Sequence, residues 1–407
     1  MKKIISVVLL VLMTSVMFSK SFFGNRYFET KVTVPVSFSN NTFGVFDFLK
    51  EEIVIDFSEI SKQMPNNGLD ILFDFSPNYE ITLNINEYFK FGPRIGINLN
   101  AYGNFSKSLF DFIGEGNYLN EPLFFSGSAK VDFFTYMGVL LGIKVGKLRI
   151  GVTPQVFFPI MTGSTDNVMV SVENSDNGDF HISGGGAISV YSNLMLDEDW
   201  SKKDVSVFVN EMINSVKKGL GVDLEGYLGW DYSKALAFDI NYKVPIKYGV
   251  YSNRFLYGMN FDVKTSVSDI ANGEIEKEFN IDKEPKKESV DFKIYRPMKF
   301  NLALRYNPFG NFLTFNALGG VGIYHPFMDD MQIYPEYFFA AKVSLIGLLS
   351  AQISTEYFDK CFSHRFLASI NLRLVQLDAG VSVSSTNFLK AFQGTGLGAF
   401  VSVAVGF

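Results

Sequence analysis

The sequence predicts an all-β chain that forms a closed antiparallel transmembrane β-barrel of about 14 to 18 strands with one internal amphipathic helix. Apolar and polar residues alternate with a period of two through most of the chain, as in strands that have one apolar and one polar face. Tight turns join several of these segments, and the alternation continues to the last residue. A barrel strand with its turn uses about 20 residues, so one large barrel accounts for a chain of 407 residues.

The N-terminus has the features of a secretory signal peptide. Lys2 and Lys3 provide a positive region, residues 4–18 are almost wholly apolar, and small residues follow. We therefore assign residues 1–21 to a signal peptide and residues 22–407 to the barrel. The alternative is an uncleaved inner-membrane anchor. After the signal segment, no apolar run is long enough for a membrane-spanning helix.

Alternating segments recur along the mature chain. Apolar residues occupy every second position in residues 32–38, 79–86, 95–101, 236–246, 300–306 and 366–374. Such strands fit either a soluble sheet with one wet face or a barrel that faces lipid. Because the pattern persists through tight hairpins to the C-terminus, we favour the barrel.

The connections between these segments differ in length. The pattern at Val145–Leu148 predicts a two-residue hairpin turn, with Gly146 at the first central position as a type II′ turn prefers. Three long stretches are polar and rich in Gly, Asp and Ser, and we predict loops over residues 104–122, 162–179 and 269–289. Short turns at one rim and longer loops at the other are the asymmetry expected of a transmembrane barrel.

One segment departs from the β pattern. From Ser201 to Lys218, apolar residues recur at i, i+3, i+4, i+7, i+8 and i+11, which predicts an amphipathic helix over 201–218. Ser201 can cap its start, and Gly219 follows its end. The apolar stripe can pack against the barrel rim, lie inside the lumen or rest on the membrane surface.

Charged residues concentrate on the polar face of the predicted strands. An Arg or Lys at the middle of a lipid face costs about 2–4 kcal/mol, so these side chains should point into the lumen. The candidate lumen charges are Lys130, Asp132, Arg149, Asp239, Lys243, Arg305 and Arg373. Grouped at one height they would form a selectivity filter, and scattered they would form a mutually neutralised wall. Both arrangements stay open, because a sequence does not show height.

The sequence has no pattern typical of an enzyme. His181, His325 and His364 are scattered, and a strand would point His364 away from the adjacent Ser363. No Gly-rich phosphate loop and no Cys/His metal spacing occurs. The net charge of −6 provides no footprint for nucleic acid. We therefore predict no catalytic, cofactor-binding or metal-binding residues.

The C-terminal strand carries a first resemblance. Residues 397–407 alternate strictly and stop on Phe407, with nothing after it. Such an end resembles the assembly signal of Gram-negative outer-membrane β-barrels; the alternative is an ordinary edge strand of a soluble β domain. The resemblance implies a place in the bacterial outer membrane, in contact with its lipid. It also implies periplasmic chaperones and the barrel assembly machinery as partners.

A second resemblance covers residues 219–232, which read Gly-Leu-Gly-Val-Asp-Leu-Glu-Gly-Tyr-Leu-Gly-Trp-Asp-Tyr. A strand of this kind with a tight turn, after an internal helix, is similar to fatty-acid-transporter-like (FadL-like) barrels. That family imports hydrophobic compounds through an N-terminal plug and a lateral opening. The plug's Asn-Pro-Ala start is absent, since residues 22–27 read Phe-Phe-Gly-Asn-Arg-Tyr. The Phe-rich chain with this N-terminal signal also resembles uncharacterised outer-membrane proteins of spirochaete-type bacteria.

These resemblances imply a porin-like role, the passage of small solutes or hydrophobic molecules across the outer membrane. The rival hypothesis is a surface-display, adhesive or structural barrel that transports nothing. The two hypotheses differ in the lumen, because a transporter needs a path whereas a display barrel can have a filled interior. The substrate and the oligomeric state have no signature in the sequence.

Overall fold

A computed structural model describes residues 26–44, 56–85, 88–116, 119, 121–176, 178–194, 206, 219–266, 276–281, 285–328, 331–345, 347–358, 361–392 and 394–407. The predicted signal peptide over 1–21 lies outside the described residues. The predicted helix over 201–218 also lies outside them, apart from Ser206.

Nineteen β-strands and three short helices make up the described part of the chain. The strands are β1 (Phe28–Asn40), β2 (Leu69–Phe75), β3 (Asn78–Ile85), β4 (Phe89–Phe105), β5 (Leu123–Val145), β6 (Leu148–Asn174), β7 (Asp179–Ser192), β8 (Gly221–Asp231), β9 (Leu236–Lys247), β10 (Gly249–Ser266), β11 (Glu276–Ile281), β12 (Lys286–Ile294), β13 (Met298–Tyr306), β14 (Leu313–Tyr324), β15 (Gln332–Leu345), β16 (Leu349–Phe358), β17 (Cys361–Asn371), β18 (Val375–Ser385) and β19 (Gly396–Gly406). The helices are α1 (Phe57–Gln63), α2 (Lys107–Glu115) and α3 (Phe388–Phe392).

The strands close into an antiparallel barrel. Hydrogen-bonded neighbours follow the circuit β1, β3, β4, β5, β6, β8, β9, β13, β14, β15, β16, β17, β18, β19 and back to β1, which is fourteen strands. The closing step pairs Glu29 with Gly406, and the backbones of Phe28 and Phe407 exchange two hydrogen bonds. The predicted closed barrel, its strand number and the pairing of the last strand with the first are confirmed.

The exterior of the barrel carries a belt of exposed apolar side chains. Leu302 on β13, Ile353 on β16 and Val401 on β19 are 65, 67 and 52% exposed. Each alternates with residues that point inward, and apart from Phe400 these are polar or small, as the period of two predicts. A belt of this extent is the surface of a barrel that faces lipid, because water-facing proteins rarely expose so large an apolar area.

The two rims of the barrel differ in height. At the short-turn rim, residues 146–147 form the predicted turn between β5 and β6, and Gly146 has a φ of 59°, which glycine adopts without strain. The described chain ends, at Arg26 and Phe407, lie at this rim. At the opposite rim, β6 continues through 27 residues, whereas about 9–11 residues are enough to cross a bilayer.

Above the circuit, part of the barrel continues as a separate sheet. Residues 148–157 of β6 pair with β8, whereas residues 161–174 pair with β7. β7 pairs with β10, which pairs with β12 and β11. We call β7, β10, β11, β12 and residues 161–174 of β6 the tall wall. Among the described strands, β12 pairs with β10 alone. The other edge of β12 is therefore not joined to a described strand of the circuit.

Short helices pack at the tall rim. Asp56 caps α1 by accepting a hydrogen bond from the backbone N–H of Glu59, and a small core of Met64, Leu69 and Phe110 lies between α1, α2 and β2. In the part of the chain that the structure describes, no helix has both the length and the apolarity needed to cross a bilayer.

The predicted loops are partly wrong. The stretch 104–122 contains α2, the stretch 162–179 is mostly the end of β6, and the stretch 269–289 contains β11 and the start of β12. Above a bilayer, water satisfies both faces of a strand, so a polar composition does not exclude a sheet. The alternating valines at 168, 170 and 172 carried this signal, and Val172 is buried.

Candidate functional site in the barrel lumen

Most of the predicted lumen charges do face the lumen. Each of these charged residues alternates with residues of an outward-facing stripe or contacts other lumen side chains. The residues are Lys130, Asp132, Arg149, Asp239, Lys243 and Arg305. Arg373 lies in the turn between β17 and β18 with a φ of 64°, so its place among the lumen charges stays a prediction. The alternation of Leu372 and Leu374 continues into the turn and conceals the end of the strand. That the six residues control ion flow stays a prediction.

Three of these charges share one height near the short-turn rim. Arg149 contacts Asp231 at 2.9 Å and Asp239 at 3.0 Å. Lys144 and Arg305 approach Asp231 at 3.2 and 3.7 Å. We call these five residues the rim cluster. They come from five consecutive strands of the circuit, so one side of the lumen carries an arc of grouped charge rather than scattered pairs.

A second group lies deeper in the lumen. Glu225 on β8 pairs with Arg94 on β4 and, at 3.1 Å, with Lys243 on β9. Asp223 pairs with Arg296 at 3.0 Å. These five residues are the central cluster. Sequence reasoning placed only Lys243 in this group, although Arg94 directly precedes the alternating stretch 95–101 on its polar face.

Arg296 was not predictable from alternation. It stands in the segment 295–297 between β12 and β13, where no strand pairing occurs. Besides Asp223, its guanidinium donates to Gln155 Oε1 at 3.2 Å and to Asn98 Oδ1 at 3.3 Å. Its charge lies 5.0 Å from the centre of the Tyr136 ring. Arg296 therefore touches β4, β5, β6 and β8, which are two to five steps from β13 around the circuit.

An apolar core fills the space next to Arg296. Phe134 and Phe157 on the lumen face of β5 and β6 pack with Tyr251 and Ile294 of the tall wall, and all four are less than 9% exposed. This part of the lumen is dry. The tall wall must therefore curl inward, because Ile294 on its far strand reaches the inner face of β5 and β6.

A further contact spans the lumen near the tall rim. The loop after β14 brings His325 Nε2 to 3.2 Å from Lys130 Nζ on β5, and Lys130 also pairs with Asp132 at 3.5 Å. Phe327 in the same loop packs edge-on against Tyr295, with ring centres 5.5 Å apart. The loop and the segment 295–297 thus approach β5 from the far side of the barrel.

The wall itself is interrupted in two neighbouring places. Between β3 and β4 the pairing omits Ile81 with Pro93, and between β5 and β6 it omits Val139 with Pro154. Proline has no N–H to donate, so each ladder loses a hydrogen bond there. Pro154 is exposed on the outer surface.

An apolar groove lies over both interruptions. It has a volume of about 430 Å³, and its lining includes Tyr79, Ile81, Pro93, Val139, Pro154 and Val156. The charged residue in its lining is Arg94, which pairs on the lumen side with Glu225. Gly138, which is paired with Arg94 in the ladder between β4 and β5, also lines this groove.

Comparisons with known proteins give one family match. A model described as "Family of unknown function (DUF5723)" matches residues 28–406. A comparison with curated proteins finds no match.

Several solved structures are similar. The toluene transporter TodX of P. putida is 10% identical with a TM-score of 0.46, over 95% of this chain and 91% of that one. The toluene transporter TbuX of Ralstonia pickettii is 10% identical with a TM-score of 0.47, over 96% and 92%. The translocator domain of the autotransporter NalP from Neisseria meningitidis is 7% identical with a TM-score of 0.35, over 99% and 95%.

Proposed function

The chain belongs to the DUF5723 family, and for this member we propose the passage of small hydrophobic molecules across the bacterial outer membrane, with exchange between lumen and lipid through the wall at Pro93 and Pro154. The observation that carries this proposal is the apolar groove over the two interrupted ladders. It lies on the lipid-facing surface and is lined in part by Arg94, which pairs with Glu225 in the lumen.

The chemistry of the groove favours an apolar passenger. Its outward part is aliphatic, aromatic and proline side chain, and the Tyr79 hydroxyl in it already accepts a hydrogen bond from Thr30. A hydrophobic molecule is favoured in this groove and in the lipid beside it, because both remove its apolar surface from water. A polar solute would leave its hydrogen bonds unmade in the same place.

The lumen supports the same proposal. At the level of the central cluster, Asp223 and Gln155 are 0 and 1% exposed, so solvent has almost no access to these two side chains. An open aqueous pore would hydrate such carboxylate and amide groups. A sideways route needs no such pore.

Restoring the missing donors tests the proposal. Pro93→Val and Pro154→Val, made together, return an N–H to each ladder and should lower uptake of N-phenyl-1-naphthylamine by bacteria that express the protein. The matched control is Pro335→Val, because Pro335 on β15 is exposed, is paired with Val321 within an unbroken ladder and lies beyond the pairing of β15 with β16. All variants are compared at equal abundance in the outer membrane.

The outcomes separate passage from display. Wild-type protein should raise the initial uptake rate above that of cells without it, and the double variant should remove most of this increase. Uptake that does not depend on the protein would contradict passage. The display hypothesis would then be favoured, since the 27-residue β6 carries the tall wall well beyond a bilayer.

A further inference from the structure

The segment 295–297 leaves the wall of the barrel. β13, which follows it, is five steps from β4 around the circuit, through β9, β8, β6 and β5. At about 4.8 Å per step this is roughly 24 Å along the wall. An arginine side chain does not span that distance. Because Arg296 nevertheless reaches Asn98 on β4, the backbone here must lie within the lumen.

The contacts of Arg296 hold this segment in a dry place. Arg296 is 8% exposed, and its partners Asp223 and Gln155 are less exposed still. Its guanidinium lies over the rings of Tyr136 and Phe157, at 5.0 and 5.8 Å. The planar fork of arginine suits such a site, since it bonds several oxygens in one plane and stacks on aromatic faces.

Few other bonds hold the segment in position. No strand pairing includes residues 295–297, although Ile294 before them and Lys299 after them are paired. The segment can therefore move without breaking a ladder. The contacts of Arg296 and the packing of Tyr295 on Phe327 oppose that movement. Among them is the ion pair with Asp223, whose Oδ1 has no hydrogen-bond partner among the described residues. A buried carboxylate that lost its arginine as well would draw in water.

We propose that Arg296 is a positioning residue that pins the segment 295–297 across the lumen and so keeps the axial route closed to water and ions. Without this pin, the apolar core of Phe134, Phe157, Tyr251 and Ile294 separates, and the tall wall returns to the edge of the barrel. The inference rests on the proposed function in that a sideways exit for hydrophobic molecules works without an axial aqueous pore.

Ion conductance in planar lipid bilayers tests whether Arg296 keeps the axial route closed. Wild-type protein should show almost no ion conductance in potassium chloride. Arg296→Ala should raise the open probability at least about tenfold, because it leaves the buried carboxylate of Asp223 without its partner. Arg296→Lys keeps the charge but not the fork, and Asp223→Asn keeps the shape but not the pair. Both should give intermediate openings, so the test survives if the alanine variant fails to insert.

The matched control is another lumen ion pair. Arg365 on β17 pairs with Glu356 on β16 at 2.7 Å and joins adjacent strands rather than opposite walls. Arg365→Ala should therefore leave the open probability at the wild-type level. If Arg365→Ala opens the barrel as much as Arg296→Ala, the loss of any lumen charge is enough to open it. The proposed role of Arg296 is then wrong.

Two further results decide the question. If the Arg296 and Asp223 variants insert but show no ion conductance, Arg296 does not keep the axial route closed. A second result is that those variants open but the protein does not increase uptake of N-phenyl-1-naphthylamine. This result would support the role of Arg296 and reject the proposed function. The two ideas therefore fail in different assays.

Discussion

Substitution by arginine on each face of β13, compared by the loss of stability, tests which face contacts lipid. Leu302 is the middle residue of β13 and projects outward between Ile240 on β9 and Gly319 on β14. Arginine at the middle of a lipid face costs about 2–4 kcal/mol. Leu302→Arg should therefore lower the folding equilibrium constant roughly 30- to 1,000-fold.

The matched variant is one residue away. Ala303 faces the lumen and is paired directly with Asp239 on β9, so Ala303→Arg gains a carboxylate neighbour and should change stability by less than about 1 kcal/mol. Both variants are unfolded with urea in lipid vesicles and followed by the shift in electrophoretic mobility. Equal costs for the two arginines, or a greater cost at position 303, would refute the assignment of the two faces.

Three further predictions concern the ends, the rim and the tall wall. Phe407→Ser should slow insertion by the assembly machinery, because Phe407 packs on Phe28 at 5.7 Å where the barrel closes; normal insertion in a pulse-chase assay would reject it. In a barrel opened by Arg296→Ala, the added change Arg149→Ala should make reversal potentials more cation-selective, since Asp231 and Asp239 lose a shared cation. An equal shift from Arg373→Ala would contradict this prediction. His181→Ala should raise the pKa of Asp262 in an NMR titration, as the hydrogen bond from His181 holds that pKa below its usual value; an unchanged pKa would exclude it.

The pH dependence of the last pair has a definite sign. A carboxyl whose pKa is lower in the folded chain stabilises folding above the pKa of the unfolded chain, and this contribution disappears as pH falls through the folded value. His181 donates to Asp262 at 2.9 Å across β7 and β10 in the tall wall. Acid should therefore loosen this part of the tall wall, which hydrogen exchange at its amides can follow.

Local patterns predicted the barrel because a period of two is itself a local property. The stripe at residues 397–407 indicates which residues of β19 point outward without any knowledge of its neighbours, and Val401 and Val403 are exposed as expected. The same logic placed Lys243 and Asp239 in the lumen. The direction of a strand side chain follows from its own parity, whatever the rest of the chain does.

Partners across the lumen were out of reach for the opposite reason. Arg94 and Glu225 are 131 positions apart, and their meeting depends on how many strands separate them around the circuit. Arg296 is harder still, because it lies outside any alternating segment and its function depends on an inward bend of the chain. The bend arises from the curl of the tall wall, where pairing between strands, rather than composition, decides the shape.

The two proposals describe one division of labour within the barrel. A polar solute needs a continuous aqueous lumen, whereas a hydrophobic passenger needs only contact between an inner surface and lipid. Pinning by Arg296 keeps the axial route dry, and the interrupted ladders at Pro93 and Pro154 weaken the wall beside the same central cluster, since Arg94 belongs to both. Wild-type protein should accordingly combine silence in ion conductance with protein-dependent uptake of an apolar dye. Large steady ion steps from the wild type would mean that the lumen, rather than the wall, is the route.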